Sequence, residues 1–306
     1  MLNLGVIGLS EGNGHPYSWS AIINGEYDQE VMEDCGYEVI PQYLRANRDT
    51  LGIDEARVTH IWTQDRALSE HVATASKIET VVDNLEDLVG AVDAVLLARD
   101  DPENHVAMAK PFLAADVPIF IDKPLAFCRE DLEWFTEQQR QGKFLMSASA
   151  LRYSSGNQST RAVLHTAGDI ELVIAVGKKD LRKYAIHYLE GVFSLLGDPT
   201  AVAVRHVGEA GRDILRVDFE NGTVAMFYVF KDIAPGGGVS VYGSEGILQF
   251  THGGAYPSFR ASLVEAIRSF RAGKPRLDFQ KTRNVIGALI GARESLENGG
   301  RTISLI

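Results

Sequence analysis

Short apolar runs alternate with helix-like patterns along residues 1–125 of the chain. The apolar runs lie at 2–9, 58–63, 91–98 and 119–121, and helical patterns cover 18–24, 67–76 and 105–115. Strands that alternate with helices at this spacing are joined by right-handed crossovers, so their sheet is parallel. The pattern therefore predicts an α/β fold for this half of the chain.

Beyond residue 126 the pattern changes. Predicted strands at 144–148, 171–176, 201–207, 214–219, 224–230, 239–243 and 247–250 are accompanied by predicted helices at 129–141, 184–196, 259–272 and 282–297. Asn221-Gly222 is a strong hairpin signal. We predict a second, α+β domain over 126–306, with a large and mostly antiparallel sheet whose helices gather on one face.

Residues 25–55 interrupt the regular alternation of the first domain. They carry Cys35-Gly36-Tyr37, Pro41 and a polar run to Gly52, and they match neither a strand nor the expected helix. We interpret this segment as an insertion between the first helix and the second strand.

The first strand passes into a loop that contains Gly8, Gly12 and Gly14, and a helix follows. A strand, a glycine-rich turn and a helix are typical of the phosphate-binding corner of a Rossmann-like domain, where backbone amides and the helix dipole face a pyrophosphate. No G-x-G-x-x-G motif can be written through these glycines, so a plain surface loop remains the alternative.

The second strand runs into Asp65 and Arg66. An acid at this position in a Rossmann-like domain normally binds the adenosine ribose, about 20 residues after the glycines. The insertion accounts for the larger separation in this chain. Asp65 favours NAD, and the adjacent Arg66 leaves NADP open.

The apolar run at 119–121 ends in Asp122-Lys123-Pro124. In open α/β sheets, ligands bind at the carboxyl ends of the strands. Pro124 disfavours the helical region for the preceding residue, which would aim the Lys123 side chain in a defined direction. The alternative is an ordinary strand end with one solvated lysine.

Composition narrows the class of partner. A formal charge of -11 disfavours nucleic acid, which is held by clustered Lys and Arg. The only cysteines, Cys35 and Cys128, have neither disulfide nor metal-ligand spacing, which fits a reducing compartment. No run approaches the ~20 apolar residues of a membrane span, and the amino terminus lacks signal-peptide features. We expect a cytoplasmic protein without metal, membrane or nucleic-acid partners.

The order of these motifs resembles, over nearly the whole chain, the Gfo/Idh/MocA family of glucose-fructose oxidoreductases and inositol dehydrogenases. Asp122-Lys123-Pro124 resembles the family's Glu-Lys-Pro motif, and residues 98–105 resemble its loop that ends in a histidine near the nicotinamide. Residues 184–190, running on to Leu196-Gly197, resemble its Asp-x-x-x-His-x-x-Asp helix, and Arg152 matches the position of a basic residue for substrate.

The resemblance implies an NAD(P)-dependent oxidoreductase that moves a hydride between a nicotinamide and a sugar, polyol or related small hydroxy compound. His187 would take a proton from the substrate hydroxyl while Lys123 donates hydrogen bonds to the same oxygen. The implied cofactor-binding residues are Gly8, Gly12, Gly14, Asp65, Arg66, His105, Asp122 and Lys123. The implied substrate contacts are Arg152, Lys183, Tyr184 and Glu190.

Three positions depart from the family pattern, one of them Glu190, which stands where the family has an aspartate. Asp122 replaces a glutamate, and Lys183 stands four residues before His187, where the family usually has an acid. On a helix Lys183 would share a face with His187 and lower its proton affinity. These departures leave two alternatives to a dehydrogenase: a non-catalytic or regulatory protein that binds a small ligand, and a lyase or isomerase with a transient oxidation.

The strands of the second domain also predict assembly. Their apolar residues include both alternating sets, which is more than one covered face requires. We therefore expect a symmetric homodimer or homotetramer in which the sheet packs against a partner subunit. The residues on which this rests are Val202, Val204, Val217, Phe219, Phe227 and Val229.

Overall fold

The computed structural model describes residues 1–234 and 237–305. These residues form two compact units. The first unit contains residues 1–125, 133–147 and 259–278, and the second contains 126–132, 148–258 and the chain from 279 onward. The first segment of the first unit thus ends at residue 125, and the chain then re-enters that unit twice.

Parallel strands form the sheet of the first unit, in the order β3-β2-β1-β4-β5-β6. Their bounds are β1 Leu2–Gly8, β2 Ala56–Thr63, β3 Thr80–Val81, β4 Ala94–Leu97, β5 Ile119–Ile121 and β6 Leu145–Ser147. The predicted α/β fold is confirmed. One strand differs from its expected place: β6 pairs with β5 in the first unit, although the sequence pattern assigned it to the second domain.

Along the described part of the chain, α-helices lie between the strands of this sheet and after them. They are α1 His15–Asn24, α2 Gln29–Glu33, α3 Val39–Ala46, α4 Arg66–Ser76, α5 His105–Ala114, α6 Arg129–Arg140, α7 Ser155–Val163, α8 Ala185–Leu195, α9 Ala255–Arg271 and α10 Phe279–Glu297. No helix among these residues is long and apolar enough to cross a membrane.

Two helix boundaries show what the pattern missed. Helix α1 begins earlier than predicted because Pro16 occupies its first turn, where the fixed proline φ suits a helix start. Helix α7 was not predicted because its sequence is mostly polar; the Ser154 side chain caps it by accepting from the Asn157 amide.

The insertion at 25–55 adds α2 and α3 but no strand to the sheet. Helix α3 lies beside α1, and the Tyr43 hydroxyl donates to Ser18 Oγ at 2.5 Å. A Cβ added at Gly14 would lie 2.5 Å from Ile40 Cδ1 and 2.7 Å from Tyr37 Cδ2. The insertion therefore packs directly on the glycine loop, and this contact requires glycine at position 14.

The second unit contains a larger sheet in the order β12-β11-β7-β10-β9-β8-β13. Its strands are β7 Ile170–Lys178, β8 Ala201–His206, β9 Arg212–Phe219, β10 Val224–Phe230, β11 Val239–Gly243, β12 Ile247–Phe250 and β13 Ile303–Ser304. Strands β7 and β10 are parallel, and the other pairs are antiparallel. The predicted mostly antiparallel sheet is confirmed.

The apolar residues of this sheet divide between its faces differently than expected. Val204, Val217 and Phe227 are fully buried, as are Phe219 and Val229, and the strand register places them on one face. Helices α8 and α10 pack against the sheet. Five of the six residues named in the sequence analysis therefore lie on one face, and the sixth, Val202, is half-buried at the register shift of β8.

The opposite face of the sheet is nevertheless apolar. Ile174 lies opposite Met226, and Val176 lies opposite Tyr228, on neighbouring strands. These four residues and Leu172 are only half-buried. We call these five residues the open face of the second unit.

Candidate active site

Polar side chains from three loops meet at the carboxyl edge of the first unit's sheet. Strands β1, β4 and β5 are neighbours, so the loops that follow them lie side by side. Ser10 Oγ donates to Asp100 Oδ1 at 2.8 Å, and Lys123 Nζ lies 3.4 Å from Asp100 Oδ2. Asp100, which sequence reasoning did not single out, thus connects all three loops.

Lys123 is buried, with 5 % of its surface exposed, and its bond to Pro124 is cis. A buried lysine beside a buried carboxylate is not the solvated lysine of an ordinary strand end. The ammonium is therefore held at the sheet edge where ligands of open α/β sheets bind.

Asp122 is the most enclosed acid of this cluster, with 2 % of its surface exposed. Its Oδ1 accepts from the Lys123 amide at 2.8 Å, and its Oδ2 lies 3.0 Å from Asn13 Nδ2 and 2.6 Å from His15 Nδ1. Burial acts to raise the pKa of Asp122, but His15 and Lys123 outweigh it and hold that pKa well below its usual range. Asp122 is therefore ionised and fastens the glycine loop to the end of β5.

The glycine loop combines tight packing with open space. A Cβ at Gly8 would lie 2.3 Å from Pro16 Cγ, whereas nothing lies within 4 Å of a Cβ built on Gly12, which has φ +77°. The strand, loop and helix thus form a corner with room above Gly12, and these features fit a dinucleotide. Contacts of Gly8, Gly12 and Gly14 with a cofactor stay a prediction.

The backbone donors of this corner are partly used within the protein. The His15 amide donates to Asn13 Oδ1 at 2.8 Å, Pro16 has no N–H, and the Leu9 amide donates to Gln64 Oε1 at 3.1 Å. The first turn of α1 therefore offers a phosphate fewer amides than a typical corner does.

Asp65 lies exposed at the end of β2 and begins helix α4. Its Oδ1 accepts from the amides of Ala67 and Leu68 at 2.8 and 3.2 Å. Arg66 pairs instead with Glu70 at 2.9 Å and with Asp83. Asp65 thus lies where an acid for the adenosine ribose is expected, and the Arg66 guanidinium is engaged by surface carboxylates.

His105 is buried between two loops of the first unit, and the nicotinamide contact implied by the resemblance stays a prediction. It is fully buried, with Nδ1 3.1 Å from the Leu125 carbonyl oxygen and Nε2 3.0 Å from that of Arg99. Burial lowers the pKa of His105, so the ring is neutral. A neutral ring carries one N–H, so His105 donates to one of these two carbonyl oxygens and packs between the loop after β4 and the loop after β5.

In the second unit, His187 lies half-buried in the first turn of α8. Its Nδ1 is 2.7 Å from Ser149 Oγ, and its ring centroid is 5.5 Å from that of Tyr184. Tyr184 is half-buried as well, and Lys179 Nζ lies 4.0 Å from its ring centroid. His187 and Tyr184 are therefore neighbours with partly accessible side chains.

The expected helical spacing of Lys183 and His187 is wrong. Helix α8 begins at Ala185, so Lys183 lies before the helix, where its amide donates to Asp180 Oδ1 at 2.8 Å. The predicted helix began at residue 184, one residue before α8, so Lys183 lay outside it as well. The argument that Lys183 lowers the proton affinity of His187 through a shared helix face therefore does not apply.

Arg152 and Glu190 form a buried ion pair, and their implied contact with a substrate stays a prediction. Arg152 Nε donates to Glu190, while Nη1 and Nη2 donate to Asp198 at 3.1 and 2.8 Å. Lys281 Nζ lies 3.0 Å from the same aspartate. The side chains of Arg152, Glu190 and Asp198 are 5 %, 1 % and 2 % exposed, so this cluster holds the second unit together.

A family model described as "Oxidoreductase family, NAD-binding Rossmann fold" (GFO_IDH_MocA) matches residues 34–148. Over these residues, which include Asp122-Lys123-Pro124, the resemblance to that family is confirmed. No curated protein matches the chain by sequence.

Solved structures share the fold over the whole chain. A probable dehydrogenase from Thermotoga maritima is 15 % identical, with a TM-score of 0.78 and 99 % of each chain covered. Myo-inositol 2-dehydrogenase from Lactobacillus plantarum is 12 % identical, with a TM-score of 0.77 and 99 % of each chain covered. Scyllo-inositol dehydrogenase from Lactobacillus casei, with bound NAD(H) and scyllo-inositol, is 13 % identical, with a TM-score of 0.77 and 100 % of this chain and 99 % of that chain covered.

Proposed function

We propose that this chain, whose residues 34–148 belong to the Gfo/Idh/MocA oxidoreductase family, is an NAD(P)-dependent dehydrogenase of a sugar, polyol or related small hydroxy compound. The observation that carries the proposal is the buried Lys123, held beside Asp100 at the carboxyl edge of the Rossmann sheet. Structures of the same fold include a scyllo-inositol dehydrogenase with bound NAD(H) and scyllo-inositol.

A bound nicotinamide would supply the acceptor for the hydride that leaves the carbinol carbon of the substrate. Lys123 donates a hydrogen bond to the substrate oxygen, and Asp100, which accepts from Ser10 Oγ, holds the ammonium in place. His187, whose Nδ1 is hydrogen-bonded with Ser149, takes the hydroxyl proton at Nε2. Tyr184 contacts another polar group of the substrate.

The glycine loop and Asp65 would hold the dinucleotide, with NAD favoured over NADP. Asp65→Ser should weaken NADH more than NADPH, by about 5- to 50-fold in relative affinity, because only NADH presents a free 2′-hydroxyl to the carboxylate. Serine can still cap helix α4, so the variant removes the charge but keeps the cap. Isothermal titration calorimetry with both cofactors measures the effect.

The same titrations test the proposed function as a whole. If the wild-type protein binds neither NADH nor NADPH at millimolar concentration, the dehydrogenase proposal fails. If Asp65→Ser weakens both cofactors equally, the dehydrogenase proposal stands but Asp65 is not a ribose ligand.

A second candidate function is a ligand-binding protein without turnover. The first turn of α1 favours it, because Asn13 and Pro16 leave that turn short of phosphate donors. Cofactor binding without reduction of NAD by any member of a polyol, inositol and sugar panel would support this candidate. Turnover of any panel member would exclude it.

We also propose that the open face of the second unit packs against a second copy of the chain. Ile174→Asp would place a carboxylate in the middle of this apolar surface, and we expect it to convert a dimer or tetramer to monomers. Light scattering at micromolar concentration measures the mass. Val163→Asp, at an exposed valine of α7, is the matched control and should leave the mass unchanged.

A monomeric wild-type mass would contradict this assembly.

We keep the cytoplasm as the proposed location because the thiols of Cys35 and Cys128 are free, as is usual in a reducing compartment.

A further inference from the structure

The segment that joins β7 to α8 in the second unit is strongly basic. Residues 178–183 read Lys-Lys-Asp-Leu-Arg-Lys, so positive charges outnumber negative ones, whereas the whole chain has a formal charge of -11. The segment leads directly to Tyr184 and His187, the proposed substrate contact and the proposed base. Positive charge concentrated beside a reaction centre raises the local concentration of anions.

Lys179 adopts a backbone conformation that suits glycine or asparagine better than lysine. Its φ is +79°, in the left-handed region that residues with a Cβ occupy at a cost. Its amide donates to the Phe230 carbonyl oxygen at 3.0 Å, which fixes the turn through the backbone alone. The turn itself does not need a lysine, so this strained residue indicates a role for its side chain outside the turn.

The ammonium of Lys179 lies on the ring of Tyr184. Its Nζ is 4.0 Å from the ring centroid and donates to the Tyr184 hydroxyl. On the same tyrosine, the ring centroid is 5.5 Å from that of His187. Lys179 is exposed and the two rings are half-buried, so a ligand beside His187 meets a cation across one tyrosine.

Polar contacts hold the basic segment to the sheet. Asp213 Oδ2 accepts from the Leu181 amide at 3.1 Å, and Asp213 Oδ1 lies 2.9 Å from His206 Nε2. Asp213 and His206 are both buried, with 3 % and 1 % of their surfaces exposed. The segment is therefore anchored from below, which lowers the cost of ordering its side chains around a ligand.

The carboxylates near the segment take part in these backbone contacts. Asp180 Oδ1 accepts from the Lys183 amide at 2.8 Å, and Asp213 faces His206 and Leu181. Lys183 itself is half-buried and adds an ammonium where the family usually has an acid. The charge beside the proposed base is thus positive, which suits a negatively charged ligand.

We propose that the substrate carries an anionic group, a carboxylate or a phosphate, in addition to the hydroxyl that reacts, and that Lys179 binds this group. The inference rests on the proposed function, because it takes His187 as the neighbour of the reacting hydroxyl. It narrows the substrate class to sugar acids and phosphorylated polyols, and it makes Lys179 a residue that determines specificity.

Hydroxy compounds that differ only in their anionic group test the substrate class. Sorbitol, gluconate and sorbitol phosphate share one hydroxylated chain, and myo-inositol and its monophosphate share one ring. In each set that reacts, we expect the anionic member to have a kcat/KM at least about tenfold higher, because it gains a charge-assisted hydrogen bond. Comparison of gluconate with sorbitol phosphate distinguishes a carboxylate from a phosphate as the group that Lys179 binds.

Replacing Lys179 by asparagine tests the residue. Asparagine tolerates the left-handed backbone, so the variant removes the charge without adding strain. We expect kcat/KM for the anionic substrate to fall by about tenfold or more, mainly through KM. Lys178→Asn removes the same charge from the adjacent exposed position and should change kcat/KM by no more than about twofold. Equal losses in the two variants would overturn the assignment to Lys179.

The remaining outcomes separate this inference from the proposed function. If the wild-type protein oxidises the neutral member of each reacting set as well as the anionic one, the inference fails and the dehydrogenase proposal stands. If no set reacts, titration calorimetry of the same compounds in the presence of NADH replaces the assay, and equal affinity for neutral and anionic members would overturn the inference. Failure of both NADH and NADPH to bind would overturn the proposed function and this inference with it.

Discussion

Replacing Lys123 by alanine is expected to lower kcat by about 10²- to 10³-fold, the usual loss when one fixed donor to a developing oxyanion is removed. The structure supports a large effect because the ammonium is buried and held by Asp100. Substrate affinity should fall as well, since the same group contacts the oxygen before and during the reaction. The assay follows NADH formation with a hydroxy compound that the wild-type protein oxidises.

Lys143→Ala is the matched control for this prediction. Lys143 also pairs with an aspartate, Asp116 at 2.7 Å, but that aspartate is exposed at the surface of the same unit. Its loss should leave kcat within about twofold. A circular dichroism spectrum equal to that of the wild type confirms that Lys123→Ala is folded, and a kcat close to that of the wild type would remove Lys123 from the mechanism. In the same assay, the kcat of His187→Ala should be lower by about 10²-fold or more, because His187 is the proposed base that takes the hydroxyl proton.

Replacing Arg152 by methionine is expected to cost about 3–5 kcal/mol of unfolding free energy in the second unit, because it leaves two buried carboxylates without their guanidinium. Arg152 contacts both Glu190 and Asp198, and all three side chains are almost fully buried. Methionine keeps much of the side-chain volume, so most of the loss would come from the unpaired charges. Urea unfolding measures it.

The three tryptophans help to locate this effect. Trp19, Trp62 and Trp134 all belong to the first unit, so their fluorescence reports on that unit, while circular dichroism reports on both. We expect Arg152→Met to shift the dichroism transition more than the fluorescence transition. Arg129→Met breaks an exposed pair with Glu294 and should cost about 1 kcal/mol or less. Equal losses in the two variants would contradict a structural role for Arg152.

The fold was predictable where local pattern and tertiary environment agree. Strands β1 and β2 are apolar runs bounded by turns, and their positions follow from the sequence. Strand β6 has the same local character, but no local signal shows which sheet an edge strand joins. It was therefore assigned to the wrong unit.

The candidate site was predictable only where one segment carries the signal. Asp122 and Lys123 follow directly from an apolar strand that ends in charged residues. The pairing of His15 with Asp122 joins positions 107 residues apart, and that of Arg152 with Glu190 joins positions 38 apart. Such pairs are created by the packing of distant segments, which hydrophobic periodicity does not encode.

The interrupted path of the chain through the first unit limits how this protein can be divided. A fragment that stops at residue 125 would lack β6, which leaves β5 as an unprotected sheet edge open to aggregation. It would also lack the aromatic contact of Phe144 with Phe270 and the packing of Phe259 on His15. The first unit is therefore not an autonomous module that can be transplanted by cutting the gene once. Exchange of this half between relatives requires three joined segments, with those at 133–147 and 259–278 taken from the same parent.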